Sequence, residues 1–384
     1  MGSARMFGPR KIDQTWWRRL MTLNWFIVLI TIGIAAIGAA VLYSVAGGNW
    51  APWAEKQTIR FAFGLVLMII IAVADIRVWM ALAYPAWIVG MGLLIAVVFV
   101  GDVGMGGKRW LDIGFIRLQP SELMKIAVIM ALARYFHGQQ YYEIRRVRTL
   151  IIPLILIITP MLLVIRQPDL GTGLMILLGG IMVIFLAGAP RWIFWTGGLG
   201  VVAAMPIAWQ FMRSYQKGRV LTFLNPESDP LGAGYQITQS KIALGSGGLS
   251  GKGFLEGTQS HLNFLPEMKT DFIFTVLAEE FGLIGGVILL ICYFSVLTYG
   301  ALIGVGCRNQ FGRILASGLS FSLFLYVLIN IGMVMGLMPV VGVPLPLVSY
   351  GGSAMLTWMV AYGLILSVAT NRHVTLAPRG SGLG

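Results

Sequence analysis

Charge is scarce in this sequence. Asp, Glu, Lys and Arg make up only 11% of its 384 residues, too few to coat a soluble domain of that length. Cysteine is nearly absent, with Cys292 and Cys307 alone. Both fall in one apolar segment, about 22 Å apart along a helix at 1.5 Å per residue. They cannot pair within it, so neither a disulfide framework nor a zinc spacing follows. The three histidines, His137, His261 and His373, are scattered, which argues against a His-rich metal site. There is no Walker-type phosphate loop and hence no sign of an ATP engine. No serine stands in a nucleophile-elbow motif. No internal repeat of solenoid period appears.

What is present is apolar. Hydrophobic residues reach 57% and mean hydropathy is +0.82. Runs of about 18 or more apolar residues recur, each able to cross about 30 Å of hydrocarbon as a helix. The predicted class is an all-α polytopic membrane protein. About ten spans are expected, near 22–46, 58–76, 78–100, 121–137, 149–165, 171–188, 190–210, 271–303, 312–338 and 350–371. Pro153, Pro160, Pro168 and Pro190 punctuate the fifth to seventh. The first run follows Arg10, Lys11, Arg18 and Arg19 and is too long for a signal-peptide core, so it reads as a retained helix.

With a cytoplasmic N-terminal segment (1–21) and tail (372–384), the inner loops collect most of the basic residues, including Arg77, Arg134, Arg145, Arg146, Arg148, Arg191, Arg308 and Arg313. Nearly all of the formal +13 then falls on one side, as the positive-inside rule expects. The charge is a topology signal, helped by membrane lipid. It offers no patch or aromatic platform for nucleic acid.

Two outer loops differ in character. Residues 101–120 and the long connection 211–270, between the seventh and eighth spans, carry both signs of charge. A connection that long is usually functional. Within it, GYQITQSKIAL has helical spacing and precedes the glycine-rich GSGGLSGKG. This predicts a short helix at the outer interface, then a tight loop; an ordinary surface helix is the plainer alternative.

Ionisable groups near membrane depth are costly and tend to be functional. Glu122 and Lys125, in LQPSELMK, share a helix face; they could neutralise each other locally or hold a polar substrate. Gln119 or Ser121 is placed to cap that helix. In RQPDLGT, Asp169 is placed to cap the next helix. GGKRWLDIGFIRLQPSE adds Lys108, Arg109 and Arg117, cations suited to phosphate. Asp271, in LPEMKTDFIFTVLAEE, stands at the start of the eighth span beside Lys269. A first-turn position and a neighbouring cation would both hold it ionised, ready to accept a proton from a sugar hydroxyl. A plain helix-start carboxylate is the alternative. Glu279 and Glu280 lie deeper and read as structural.

KRWLDIG with LQPSELMK, RQPDLGT, GAGYQITQSKIALGSGGLSGKG, GTQSHLNFLPEMKTDFIFTVLAEEFG and PVVGVPLPLVSYGGSAML occur in order. Together they resemble the SEDS family (shape, elongation, division and sporulation), and the elongation branch (RodA-type) more than the division branch (FtsW-type). The resemblance implies a transmembrane glycosyltransferase domain over 22–371, with both termini cytoplasmic, in the bacterial cytoplasmic (inner) membrane. It implies polymerisation of lipid II, a disaccharide-pentapeptide on undecaprenyl pyrophosphate, into β-1,4 glycan on the outer face during elongation. It also implies a class B penicillin-binding protein, supplying transpeptidation, and the elongation machinery as partners.

By motif, Asp271 corresponds to the family's essential aspartate, and Glu122, Lys125 and Asp169 to polar residues of its central cavity. The donor sugar is α-linked and the product β-linked, so one inverting displacement with one base suffices. Charge neutralisation of the leaving pyrophosphate would fall to Arg109, Lys125, Arg166, and Lys241 or Arg219, with Arg117 and Lys269 on the same substrate-binding rim. The sequence leaves open whether a divalent cation, Mg or Mn, shares that work. Many members carry His where this chain has Lys269. A precursor flippase would instead need polar groups along a path across the membrane, and a scaffold would need no cavity acid.

Overall fold

The computed structural model describes residues 16–376, apart from 105–106, 113–116, 213, 230–231 and 259–266. Arg10, Lys11, His261 and the tail from 377 lie outside the described residues.

The chain is helical. A short helix, α1 (Trp16–Met21), leads into α2 (Trp25–Val45), α3 (Trp53–Val73) and α4 (Ile76–Val100). Next come α5 (Pro120–His137), the single turn α6 (Tyr141–Ile144), α7 (Ile151–Arg166), α8 (Leu170–Leu186) and α9 (Arg191–Phe211). The long connection holds α10 (Ser214–Leu224) and α11 (Ala233–Gly247). The last elements are α12 (Ile273–Gly306), α13 (Gln310–Val334) and α14 (Gly352–Thr370). Several starts are fixed by capping side chains. Asn24, Asp75, Asp169 and Asn309 each accept a backbone N–H two or three residues on, at 3.1, 2.9, 3.2 and 2.7 Å.

Eight helical segments among the described residues are long and apolar enough to cross a membrane. The two remaining expected spans are α5 and α8. Helix α5 carries Glu122, Lys125 and Arg134 within 18 residues, and α8 has 17 residues. Helix α5 is buried over most of its length, which lets it carry charge at membrane depth, and α8 is partly buried. The innermost helices are α5, α13 and α14, while α9 has no buried residue and stands against the periphery. Small residues bring helices close, as in other membrane interfaces. A Cβ on Gly363 of α14 would lie 2.8 Å from Ile71 of α3, and one on Gly180 of α8 would lie 2.5 Å from Ile157 of α7.

Three features were not expected from the sequence. The 101–120 connection folds into a small antiparallel sheet of β1 (Asp102–Gly104), β2 (Gly107–Asp112) and β3 (Arg117–Leu118), in that order. Val103 pairs with Lys108, and Leu111 with Leu118. Secondly, α12 is interrupted. Its 34 residues would reach about 51 Å as one helix, but Gly282 breaks it with φ 64° and ψ −160°.

The glycine-rich loop after α11 fills that break. Lys252 and Gly253 donate their backbone N–H to the carbonyls of Glu279 and Glu280, at 3.0 and 3.1 Å. Leu283 and Ile284 donate to Gly248 and Leu249, at 3.0 and 3.1 Å. A broken helix is tolerated in a membrane protein when other protein satisfies its backbone, and here the loop does so. A Cβ on Gly251 would fall 2.0 Å from the Glu280 carbonyl, which is why this loop is glycine-rich. Around the break, Lys252 bonds Glu279 at 2.7 Å, and the Ser44 hydroxyl donates to Glu280. Both acids are thus tied into the break by neighbouring side chains.

Thirdly, the segment between α13 and α14 has no regular structure, yet residues 345–349 are buried. Side chains from neighbouring helices hold it. Gln57 donates to the Ser349 carbonyl at 3.0 Å, Asn330 donates to Val343 at 2.7 Å, and the Tyr293 hydroxyl donates to Pro346. This segment forms the floor beneath Asp271.

Candidate active site

Asp271 lies in the turn just before α12, whose cap residue is Phe272. Its backbone is fixed on two sides. Asn330 of α13 donates to the Asp271 carbonyl at 2.9 Å, and Tyr350 donates to the Lys269 carbonyl at 2.8 Å. Ser240 on α11 bonds Thr275 at 2.9 Å and Val334 at 2.8 Å, so the long connection is tied to the same corner. The side chain faces Gly342, where a Cβ would come within 3.3 Å of Oδ2.

The electrostatics correct the expectation of a carboxylate held ionised. Burial is the main cause that pushes Asp271 up, from 3.8 to about 7. Glu267 and Asp169 add to the rise, and Arg219 and Arg109 oppose it. Asp271 stands one residue before the helix cap, and among the described residues no side chain caps that helix start. Lys269 is turned elsewhere, its ammonium 4.0 Å over the ring of Trp53. The residue as a whole keeps an intermediate solvent exposure while its carboxyl group is largely enclosed by protein. That is the setting in which a general base near neutrality is expected.

Asp169 lies on one flank. It caps α8 through Thr172 at 3.2 Å and accepts from Gln119 at 3.2 Å. Gln119 therefore reaches across to Asp169 rather than capping α5, and no side chain caps that helix. Arg109 from β2 bonds the carbonyl of Gln167 at 3.3 Å and that of Pro168. Arg219 of α10 reaches the Val341 carbonyl at 3.4 Å. Each guanidinium is thus anchored to backbone with N–H groups left over for an anion.

The other residues expected on a substrate rim differ in their surroundings. Glu122 and Lys125 are buried and bonded to each other at 2.6 Å. The Tyr326 hydroxyl donates to both Glu122 oxygens, at 3.1 and 3.0 Å, while Lys125 lies 4.3 Å over the Tyr326 ring. This is a closed polar knot joining α5 to α13. Arg117 is exposed and 3.6 Å from Asp112. Arg166 is exposed in the last turn of α7. Lys241 is exposed on α11, its stem against the turn at Gly336. Glu267, Asn330 and Gly342 are residues of the site that sequence reasoning missed. Glu267 was visible in LPEMKTD, four residues before Asp271. Asn330 comes from α13 and Gly342 from the segment that follows it, and neither carried a local sign. Among the described residues, no group of three or more His, Cys, Asp or Glu forms a metal cluster.

Fold and site together define a polytopic membrane protein with a polar site gathered around Asp271. The family model for FtsW, RodA and SpoVE, described as cell cycle protein, matches residues 18–374. The chain belongs to that family. It is 46% identical over 362 residues to the peptidoglycan glycosyltransferase MrdB of Escherichia coli (strain K12), covering 94% of this chain and 97% of that protein. A solved structure on the coordination of polymerization and crosslinking by a peptidoglycan synthase complex aligns with TM-score 0.80 and 31% identity, over 92% of this chain and 99% of that one. The rod shape determining protein RodA of Thermus thermophilus aligns with TM-score 0.69 and 29% identity, over 92% and 99% of the two chains.

Proposed function

We propose that this chain is a RodA-type peptidoglycan glycosyltransferase that polymerises lipid II at the outer face of the bacterial cytoplasmic membrane. In this reading Asp271 is the general base. It removes the proton from the acceptor sugar's 4-hydroxyl as that oxygen attacks the donor's anomeric carbon from the side opposite the pyrophosphate. The α-linked donor becomes a β-1,4 bond in one inverting step. Undecaprenyl pyrophosphate leaves as an anion, and Arg109 and Arg219 offset the charge that develops on it. Asp169 steadies the wall that carries Arg109 through Gln119 and the α8 start. A class B penicillin-binding protein would supply the transpeptidation that this chain has no residues for.

One observation carries the proposal: a largely enclosed carboxylate, raised toward neutrality, with two backbone-anchored arginines in its field. The test is glycan synthesis from purified lipid II by wild type and Asp271→Ala. Loss of a general base predicts a fall of about 10²–10⁴-fold. A folded Asp271→Ala protein that polymerises at the wild-type rate would overturn the assignment.

A further inference from the structure

A cavity lined by two arginines lies at the other end of the molecule. It has a volume of about 540 Å³ and sits where α8 turns into α9 over Gly188, Ala189 and Pro190. Asp169 and Gly188 flank α8 at opposite ends, about 25 Å apart along its axis, so this cavity is remote from Asp271. It opens on the side that carries most of the arginines.

Arg145 and Arg191 line it, together with Tyr141, Phe185 and Trp192. No acidic residue is among its lining. Glu143, the nearest acid in sequence, is engaged in the capping box of α6, where it accepts from the Gln140 N–H at 2.9 Å. Arg146 is turned to the Tyr142 ring, 5.9 Å away. Arg145 and Arg191 are exposed and form no salt bridge among the described residues. Helix α9 begins at Arg191 with no side-chain cap, so its first N–H groups add positive potential to the same cavity. The corner is held in shape: Gly188 has φ 101°, and a Cβ there would lie 3.0 Å from the Tyr141 ring.

The apolar surroundings point to the source of the anion. Phe185, Trp192 and Trp195 are 47%, 55% and 80% exposed, and α9 buries no residue in the protein. An exposed aromatic cluster beside paired arginines at a helix end is the arrangement of a membrane–water interface. Basic pockets between spanning helices on the arginine-rich side take anionic headgroups. We propose that this cavity binds the phosphodiester headgroup of an anionic phospholipid, with Arg145 and Arg191 on the phosphate and the acyl chains lying over Phe185 and Trp192.

The test is lipid retention by the purified full chain in detergent, read by native mass spectrometry. Cardiolipin or phosphatidylglycerol is added against phosphatidylcholine, with inorganic phosphate as competitor. Wild type is expected to retain the anionic lipids preferentially, and Arg145→Gln/Arg191→Gln to hold them about tenfold more weakly. Arg77→Gln/Arg308→Gln, which removes the same charge elsewhere on that side, should retain them as wild type does. Equal loss in both double variants would reduce the effect to diffuse charge and overturn the site. Equal retention of phosphatidylcholine, or displacement of lipid by equimolar phosphate, would overturn the ligand class.

Discussion

The ammonium of Lys269 lies 4.0 Å over the indole of Trp53, turned away from Asp271 two residues later. The pair joins the pre-helix turn to α3 and leaves the carboxylate without its nearest cation. A substitution that removes the charge but keeps the stem, Lys269→Met, should cost about 1 kcal/mol of stability. The pH profile of glycan synthesis should keep its midpoint. A displaced midpoint would mean that Lys269 acts on Asp271 after all.

The acidity of Asp271 carries its own prediction. A base works deprotonated, so the rate should rise with pH through about 7. Glu267 raises this carboxyl and Arg219 lowers it. The midpoint should therefore move down in Glu267→Gln and up in Arg219→Gln. Stability follows the opposite sense. Because the folded protein holds its proton more tightly than the ordinary value of 3.8 allows, the stabilising contribution is complete below that value. It is lost as pH rises through about 7. Thermal unfolding of Asp271→Asn should lack that part of the pH dependence.

Gly342 faces the carboxylate of Asp271. Its φ is 78°, and a Cβ would stand 3.3 Å from Asp271 Oδ2. Gly342→Ala combines a left-handed backbone, costing about 1–2 kcal/mol, with a methyl group against the carboxylate. A lower melting temperature and a larger fall in polymerisation than in stability are expected. Unchanged polymerisation would place the acceptor hydroxyl on another side of Asp271.

The knot of Glu122, Lys125 and Tyr326 separates structure from substrate binding. Breaking a buried pair by removing one partner costs about 3–5 kcal/mol, whereas replacing both with apolar groups can be neutral. Glu122→Leu should therefore unfold at markedly lower temperature, and Glu122→Leu/Lys125→Met should recover most of the loss. Recovered stability without recovered polymerisation would assign the pair to substrate.

The membrane class and the spans were readable because they rest on local signals, long apolar runs and capping residues, and Asp271 was singled out by a contiguous motif. What lay beyond them depends on contacts distant in sequence. Glu122 and Lys125 look like a cavity pair until Tyr326, on another helix, closes over them. Lys269 looks like a partner for Asp271 until Trp53 takes it. Gln119 appears to be a cap until Asp169, on α8, receives it. The break at Gly282 was hidden for a related reason. The run that follows it is as apolar as any spanning helix, and the loop that replaces its lost backbone bonds precedes it by some thirty residues in the sequence.

That break also has a mechanical meaning. Below Gly282, α12 turns Leu283, Ile284, Ile288 and Ile291 outward, and such a segment must tilt to match the thickness of the bilayer around it. Above it, residues 273–281 are buried almost throughout and suspended from the 247–253 loop. The same loop also accepts from Leu283 and Ile284 below the break, so it clamps both sides of the joint and holds the bend from which the turn bearing Asp271 hangs.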